Sequence, residues 1–375
     1  MTNQIVFLAP RGFGTEETER NVIRRLNLYL NQTKGILNES VELYLFLPKN
    51  STLNDSNIRG TTSINIIRIG SPTRNFLIFA IRSRAFAIFH RISPSLIISS
   101  DVRFAFLSTI IFKFGMKNTK MQVQIHGNYD SLAPKFTFFR PLLFLYYSLV
   151  FLLSDSIRMA SSHQLESFPK TLQSKVDKIV IAPVPFMFEK MMRPSKDHLP
   201  SIGFVGRIHR ERGLDRWVEV AKNIDALTYE VDYVIIGDGI HKEDFLEALH
   251  SNDQSNLQYL GWLSSFDLNR SWNLIGVLLV TAEFESFGVA MREALLHGVY
   301  VVAFENQATS RLRREFPEFV FTSRSNKELA EFAIKLRNRR IPFKDIEKIY
   351  NFYIDEQNKA LRDIAFSWVK ELQAH

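Results

Sequence analysis

Glu285 and Glu293 stand with seven residues between them in the run Glu285-Ser286-Phe287-Gly288-Val289-Ala290-Met291-Arg292-Glu293. A carboxylate can accept hydrogen bonds from the hydroxyls of a sugar, and here one lies in a loop and the other on a helix. The helix start between them offers unpaired backbone N–H groups to a phosphate. The apolar run Val277-Leu278-Leu279-Val280 before this stretch reads as a buried parallel strand. The segment from Ala290 to His297 is a good helix former, closed by Gly298 as its C′ residue. Strand, tight loop and helix in that order are how a doubly wound domain builds a ligand site at its strand ends. The same nine residues also fit a plainer reading, an acidic helix start beside an unrelated surface glutamate.

Other candidate residues recur at strand ends. Gly203 to Gly213 follows the strand Ile202–Val205 and carries Gly206, Arg207 and Arg212. Guanidinium groups fixed in such a loop can stabilise charge building on a diphosphate leaving group. A solvated basic loop or a nucleic-acid patch are the alternatives, although no aromatic residues interleave with these cations. Val234-Ile235-Ile236 leads into Gly237-Asp238-Gly239, which is also an ordinary turn sequence. Near the N-terminus, Gly12 and Gly14 permit close backbone approach and Thr15 suits an N-cap, as a plain turn would also explain. The strand Val123–Ile125 ends in His126-Gly127, where the imidazole could orient a substrate hydroxyl or simply satisfy a strand end. Asp130 lies near it without motif support.

These residues need a scaffold, and the chain alternates strand and helix patterns throughout. Strands are expected at Ile5–Ala9, Val41–Leu47, Ile64–Ile69, Leu96–Ser99, Gln122–Ile125, Ile157–Met159 and Lys178–Ile181. A second series is expected at Ile202–Val205, Asp232–Ile236, Leu257–Leu260, Gly276–Val280 and Tyr300–Ala303. Helices are expected at Glu16–Asn31, Leu214–Ile224, His241–His250, Glu328–Asn338 and Lys359–Leu372. This is an α/β chain of two doubly wound, Rossmann-like domains. The boundary falls in the proline-bearing stretch Pro183–Pro200.

Length and composition agree with two domains. The chain has 375 residues, 46% of them apolar, and no cysteine, which excludes thiol catalysis and fits a reducing cytoplasm. The N-terminal residues read as a first strand, not a signal peptide. Residues 1–200 hold 25 Lys+Arg against 13 Asp+Glu, a net of +12, whereas the remainder is −4. That asymmetry suits a first half that meets something anionic, lipid, nucleic acid or a phosphorylated acceptor. The segment Phe136–Leu153 is too short to span a bilayer. It reads equally as an interfacial helix or as a buried core helix. The nine histidines are scattered, with no metal-ligand spacing.

The Glu285/Glu293 and Arg207/Arg212 pieces, with Gly237-Asp238-Gly239 and His126-Gly127 in order, resemble the retaining glycosyltransferases of family 4 (glycosyl transferases group 1). The resemblance covers most of the chain, from the Gly12 loop to Phe366-Ser367-Trp368. It implies GT-B architecture, with two Rossmann-like domains facing across a cleft. Residues 1–190 would be the acceptor-side domain, 191–355 the donor domain, and 356–375 a helix packing back on the first. It further implies transfer of a sugar, with retention and without metal or other cofactor, from a UDP- or GDP-linked donor to a polysaccharide or lipid-linked acceptor. His126, Glu285, Arg207 and Arg212 would be catalytic. Gly14, Gly206, Arg207, Arg212, Gly237, Glu285, Ser286, Phe287, Gly288, Val289 and Glu293 would bind the donor, with Glu293 on the ribose. The protein would be cytoplasmic and peripheral on the inner membrane face, without nucleic acid. Arg212 stands where Lys is commoner, and Phe304 to Thr309 lacks a frequent Gly-Gly step. A sugar-nucleotide epimerase and a non-catalytic binding protein share the same fold and are the rival readings.

Overall fold

The computed structural model describes residues 3–12, 16–49, 64–70, 75–125, 129, 140–174, 176–183, 201–228, 231–250, 255–285 and 287–373. Most of the expected linker Pro183–Pro200 lies outside these residues, as do Gly14, Thr15, His126, Asp130 and Ser286. The chain divides into two compact units, Met1–Pro185 with Glu356–His375, and Phe186–Asp355.

The first unit is built on a seven-stranded sheet. Its strands are β1 (Asn3–Leu8), β2 (Val41–Pro48), β3 (Ile64–Ile69), β4 (Leu96–Ser99), β5 (Lys120–Ile125), β6 (Ser156–Met159) and β7 (Ile179–Ile181). The spatial order is β3-β2-β1-β4-β5-β6-β7, all neighbours parallel. Helices cover both faces, so a strand such as Leu96-Ile97-Ile98-Ser99 is buried at every residue. On one face, Ile5, Phe7, Leu43, Leu45 and Ile98 pack against Leu26, Tyr29 and Trp368. On the other, Val6, Leu8 and Ile97 pack against Phe79 and Phe112, and Val123 and Ile157 against Phe106, Tyr147 and Phe151.

The second unit holds β8 (Ile202–Val205), β9 (Val231–Ile236), β10 (Ser255–Gly261), β11 (Val277–Val280), β12 (Tyr300–Phe304) and β13 (Val320–Ser323). They form a six-stranded parallel sheet in the order β10-β9-β8-β11-β12-β13. Chain order runs outward from β8 in one direction and from β11 in the other. The two therefore meet at a topological switch point, the place where such sheets leave a crevice at their carboxyl ends.

Three differences from the sequence expectation have physical causes. β13 was not expected: Val320-Phe321-Thr322-Ser323 is four residues long and half hydroxylated, and it pairs only on one side. The last helix runs Phe343–Gln373, beginning sixteen residues before Lys359. Its earlier turns carry the apolar stripe Ile346, Ile349 and Tyr353, which joins the core of the second unit, while Leu361, Ile364, Trp368 and Leu372 join that of the first. Finally, the helix Arg140–Leu153 is interior on one side alone. Tyr147, Val150 and Phe151 are buried, but Leu142, Leu145, Leu149 and Leu152 are exposed. A helix apolar all round has no periodicity to say which side faces the core.

Trp368 fixes the C-terminal helix by more than bulk. Its ring meets Tyr29 edge-on at 5.7 Å, and its Nε1 donates to the Oε1 of buried Gln122 at 3.2 Å. The Gln122 amide nitrogen donates in turn to Ser156 and Ser367 at 3.2 and 3.1 Å. Trp368→Phe should therefore cost about 1–3 kcal/mol by stranding the Gln122 carbonyl, measured as a lowered urea midpoint.

Candidate functional site

The loops that leave β8 and β11 carry the candidate donor-site residues, and the backbone holds these loops very close. Gly213 ends the β8 loop at φ 69°, in the left-handed region. A Cβ there would collide with the backbone carbonyl of Thr281, the first residue after β11. The Thr281 hydroxyl seals the contact by donating to the carbonyls of Arg212 and Gly213 at 3.2 and 2.9 Å. Gly237, at φ 138°, likewise leaves no room for a side chain beside the carbonyl of Gly206, so the β9 loop closes against the β8 loop. The Gly206 and Gly237 amides donate to Ile236 and Gly261 at 2.9 and 2.8 Å, linking the ends of β8, β9 and β10.

On that frame Arg212 and Glu285, 73 positions apart in the chain, form an ion pair through Nη1 and Oε2. The Glu285 side chain is largely buried, and the buried Nε of Arg212 has no hydrogen-bond partner among the described residues. A cation held by one carboxylate, with a donor left over, suits an incoming polyanion. Arg207 is placed differently: it pairs with Glu211 one turn on, and its side chain is 63% exposed. The four expected charged residues are thus two in contact, Arg212 and Glu285, with Arg207 on the outer side of the same loop. Glu293 is half-buried inside the helix Val289–Leu296, which starts directly after Gly288. The helix starts at Val289, with Gly288 as its N-cap and Phe287 just before it, and Val289 is exposed.

Three side chains that sequence reasoning passed over hold the β11 loop by its carbonyls. Arg216 donates to the carbonyl of Thr281 at 3.1 Å and to Glu283 at 2.9 Å, while its guanidinium lies 3.7 Å from the Phe304 ring centroid. The Asn306 amide donates to the carbonyl of Ala282 at 2.9 Å, and its Oδ1 caps the helix Gln307–Glu315 through Thr309. Asn306 and Thr309, three apart before a helix, were a readable capping signal in the very stretch that lacks Gly-Gly. Arg292 is the third. Only 2% exposed, it donates Nε to the carbonyl of Phe287 at 3.2 Å, covers the Phe287 ring at 4.4 Å and pairs with Glu315 at 3.4 Å. Nothing in the local sequence separates Arg292 from a solvated helix residue.

The floor of the helix carrying Glu293 is aromatic. His297 stacks on buried Trp272 at 5.7 Å, and its Nδ1 lies 2.9 Å from the carbonyl of Glu293, so Nδ1 carries the proton. Burial pushes the His297 pKa down from its ordinary value, the Glu293 carbonyl opposes this, and nearby Arg340 adds to the lowering. Burial also holds the Arg340 guanidinium down, to about 10.

Comparison with known proteins follows this geometry. Residues 199–339, essentially the second unit, match the family model described as Glycosyl transferases group 1. An uncharacterized 41.2 kDa protein in the cps region of Klebsiella pneumoniae is 36% identical over 103 residues, 28% of this chain and 27% of that protein. The curated relative is therefore matched over only 27% of its length. A glycosyltransferase from Rickettsia africae superposes with TM-score 0.68 at 14% identity, covering 100% of both chains. The Anabaena protein HepE in complex with UDP and glucose gives TM-score 0.63 at 14% identity, also over 100% of both. The fold is that of the GT-B glycosyltransferases. Within the GT-B fold, the loops after β8 and β11 belong to the segment that the family model matches.

Two outcomes follow from the packing. Arg292→Met should cost about 1–3 kcal/mol, since it strands the carbonyl of Phe287 while Glu315 keeps its pair with Arg311 at 2.7 Å, and should be seen as a lowered thermal midpoint. For His297 the folded pKa is depressed, so below about pH 6.5 the unfolded chain takes up a proton that the folded chain refuses. The stability that His297 contributes is present above that pH and lost as pH falls towards the folded value. His297→Leu should flatten the decline of the melting temperature between about pH 7 and pH 5.5.

Proposed function

We propose that this chain is a retaining glycosyltransferase of family 4 that moves a sugar from a UDP- or GDP-linked donor to a polysaccharide or lipid-linked acceptor in surface-glycan synthesis. The observation that carries the reading is the Arg212–Glu285 pair, made across the switch point beside the helix start Phe287–Val289. An isolated surface glutamate, the plainer reading of the motif, would have no reason to be largely buried against a guanidinium from 73 residues away.

In this reading the donor diphosphate takes Arg212 from Glu285. Arg212, the exposed guanidinium of Arg207 and the N–H groups at the helix start then meet the negative charge. Glu285, freed, accepts hydrogen bonds from the hydroxyls of the transferred sugar, and Glu293 from those of the ribose. Arg292, Arg216 and Asn306 keep the β11 loop rigid, so that the reacting groups are held and not searched for. The acceptor hydroxyl oxygen attacks the anomeric carbon on the face the diphosphate leaves. The carbon–oxygen bond to phosphate breaks, and the acceptor proton passes to the departing phosphate oxygen. No metal ion or other cofactor is assigned a part. The cps-region relative supports a surface-glycan role, and the UDP and glucose bound by HepE support a UDP-sugar donor. His126, Gly14 and Ser286 keep the roles that the family resemblance implies, and the protein would work in the cytoplasm.

A panel of UDP- and GDP-sugars should contain one that raises the melting temperature by a few degrees at saturating concentration. Arg212→Ala and Glu293→Ala should lose that shift and at least about a hundredfold in turnover while remaining folded. If no nucleotide-sugar shifts the wild-type protein, the donor assignment is wrong. If a nucleotide-sugar is isomerised to its epimer, with the sugar–phosphate bond kept and no acceptor present, the enzyme is an epimerase.

A further inference from the structure

The carboxyl ends of β5 and β6 are joined by a side chain where a backbone rung would otherwise stand. Ile125 lies opposite Met159, so the next rung of this parallel pair would run from the Ala160 N–H to the Ile125 carbonyl. Gln164, on the short helix Ser162–Glu166, takes that place. Its Oε1 accepts from the Ala160 amide at 2.8 Å, and its Nε2 donates to the Ile125 carbonyl at 3.0 Å. One orientation of the carboxamide serves both groups, since an N–H needs an acceptor and a carbonyl a donor. The Gln164 side chain is 3% exposed, so water cannot readily replace either bond.

The same turn of chain also holds the far side of the loop that leaves β5. The Ser167 hydroxyl accepts from the Tyr129 amide at 2.9 Å and donates to the Gln164 carbonyl at 2.7 Å. The Tyr129 ring packs against Phe168 and Tyr147, with centroids 5.2 and 5.6 Å apart. The Gln164 amide is itself tied to the Ser161 hydroxyl at 3.2 Å. Residues 125 and 129, which bound His126-Gly127-Asn128, are therefore both held by Gln164 and Ser167.

A backbone rung would satisfy the Ala160 and Ile125 groups without ordering a glutamine, whose burial costs rotamer freedom. What the glutamine adds is separation, the width of an amide between two strand ends, at the point where the chain leaves β5 for His126. Because the peptide unit is planar, holding the Ile125 carbonyl also sets the plane of the bond that joins residues 125 and 126. Group transfer responds steeply to such placement, since a shift of about 1 Å can cost about a hundredfold in rate.

On the reading in which His126 is catalytic, we propose that Gln164 is a positioning residue for glycosyl transfer, acting through the end of β5. It touches neither donor nor acceptor. Its part is to fix where the imidazole-bearing residue departs from the sheet, while Ser167 fixes where the chain returns.

The test uses the full chain and the member of the UDP- and GDP-sugar panel that most raises its melting temperature. Release of nucleoside diphosphate, with water as acceptor, is read as turnover. Gln164→Met keeps the side-chain length and removes both bonds. It should lower kcat at least about tenfold and leave the donor KM within about twofold. The melting-temperature shift given by UDP or GDP alone should persist, because Arg212 and Glu293 belong to the second unit. Gln164→Asn, too short to reach both partners, serves in the same way where the methionine variant does not fold. His126→Ala should also lower kcat, and adding Gln164→Met to it should cost less than about twofold more, as expected for two residues acting through one group. A folded Gln164 variant with wild-type kcat overturns the proposal, and slow turnover in His126→Ala then leaves the His126 role standing. Equal losses from Gln164→Met with and without His126 overturn it too, by making the glutamine a support of the fold alone. Full turnover in His126→Ala removes the proposal together with the reading on which it rests.

Discussion

The candidate site depends on the close approach of Gly213 to the carbonyl of Thr281. Two loops that leave adjacent parallel strands can diverge into solvent. Here the absence of one Cβ, together with the Thr281 hydroxyl bridging to the Arg212 and Gly213 carbonyls, brings them into van der Waals contact. Any larger residue at position 213 would separate the loops and meet the steric cost of φ 69° as well. Once they touch, Arg212 and Glu285 lie within reach, and a cation and a carboxylate from remote stretches form one unit.

The wider architecture explains why that contact occurs where it does. Parallel strands buried on both faces need crossover helices, and outward winding in both directions from β8 and β11 leaves the carboxyl ends at the centre free of crossing connections. The loops there carry irregular backbone whose polar groups still require partners. Arg216, Asn306 and Arg292 meet that demand at Thr281, Ala282 and Phe287. A buried guanidinium is an expensive way to hold a loop unless it is paired, and Arg292 is sandwiched by Phe287 and Tyr353 and paired with Glu315. The second rank of charges thus makes the first rank rigid.

In the first unit the same winding gives an outer helical layer of a different character. The face bearing Trp368 is closed by the C-terminal helix and a buried polar link through Gln122. The opposite face ends in helices whose inner sides fill the core and whose outer sides remain apolar and cationic. Hydrophobic content alone could not distinguish these roles, because the helix Arg140–Leu153 is apolar on both sides.

Strand positions were largely legible in the residues, because short Val/Ile/Leu runs buried on both faces admit few other structures: Ile64–Ile69, Leu96–Ser99 and Ile202–Val205 fall where the pattern puts them. Glu285, Arg212 and Gly288 were legible as candidates, since a carboxylate, a guanidinium and a glycine at strand ends are groups that a phosphorylated sugar would need, though a plain turn uses them too. Edge strand β13 and the early turns of the last helix were not, because four half-polar residues and a mixed helical stripe acquire meaning only from the surfaces they cover. The amino-acid order by itself determined which groups stand at strand ends. Tertiary structure alone decided that Arg212, and not Arg207, meets Glu285, that Arg292 is a buried strut, and which side of Arg140–Leu153 faces solvent. Those outcomes depend on contacts between stretches tens of residues apart, and local sequence carries no record of the distance between them.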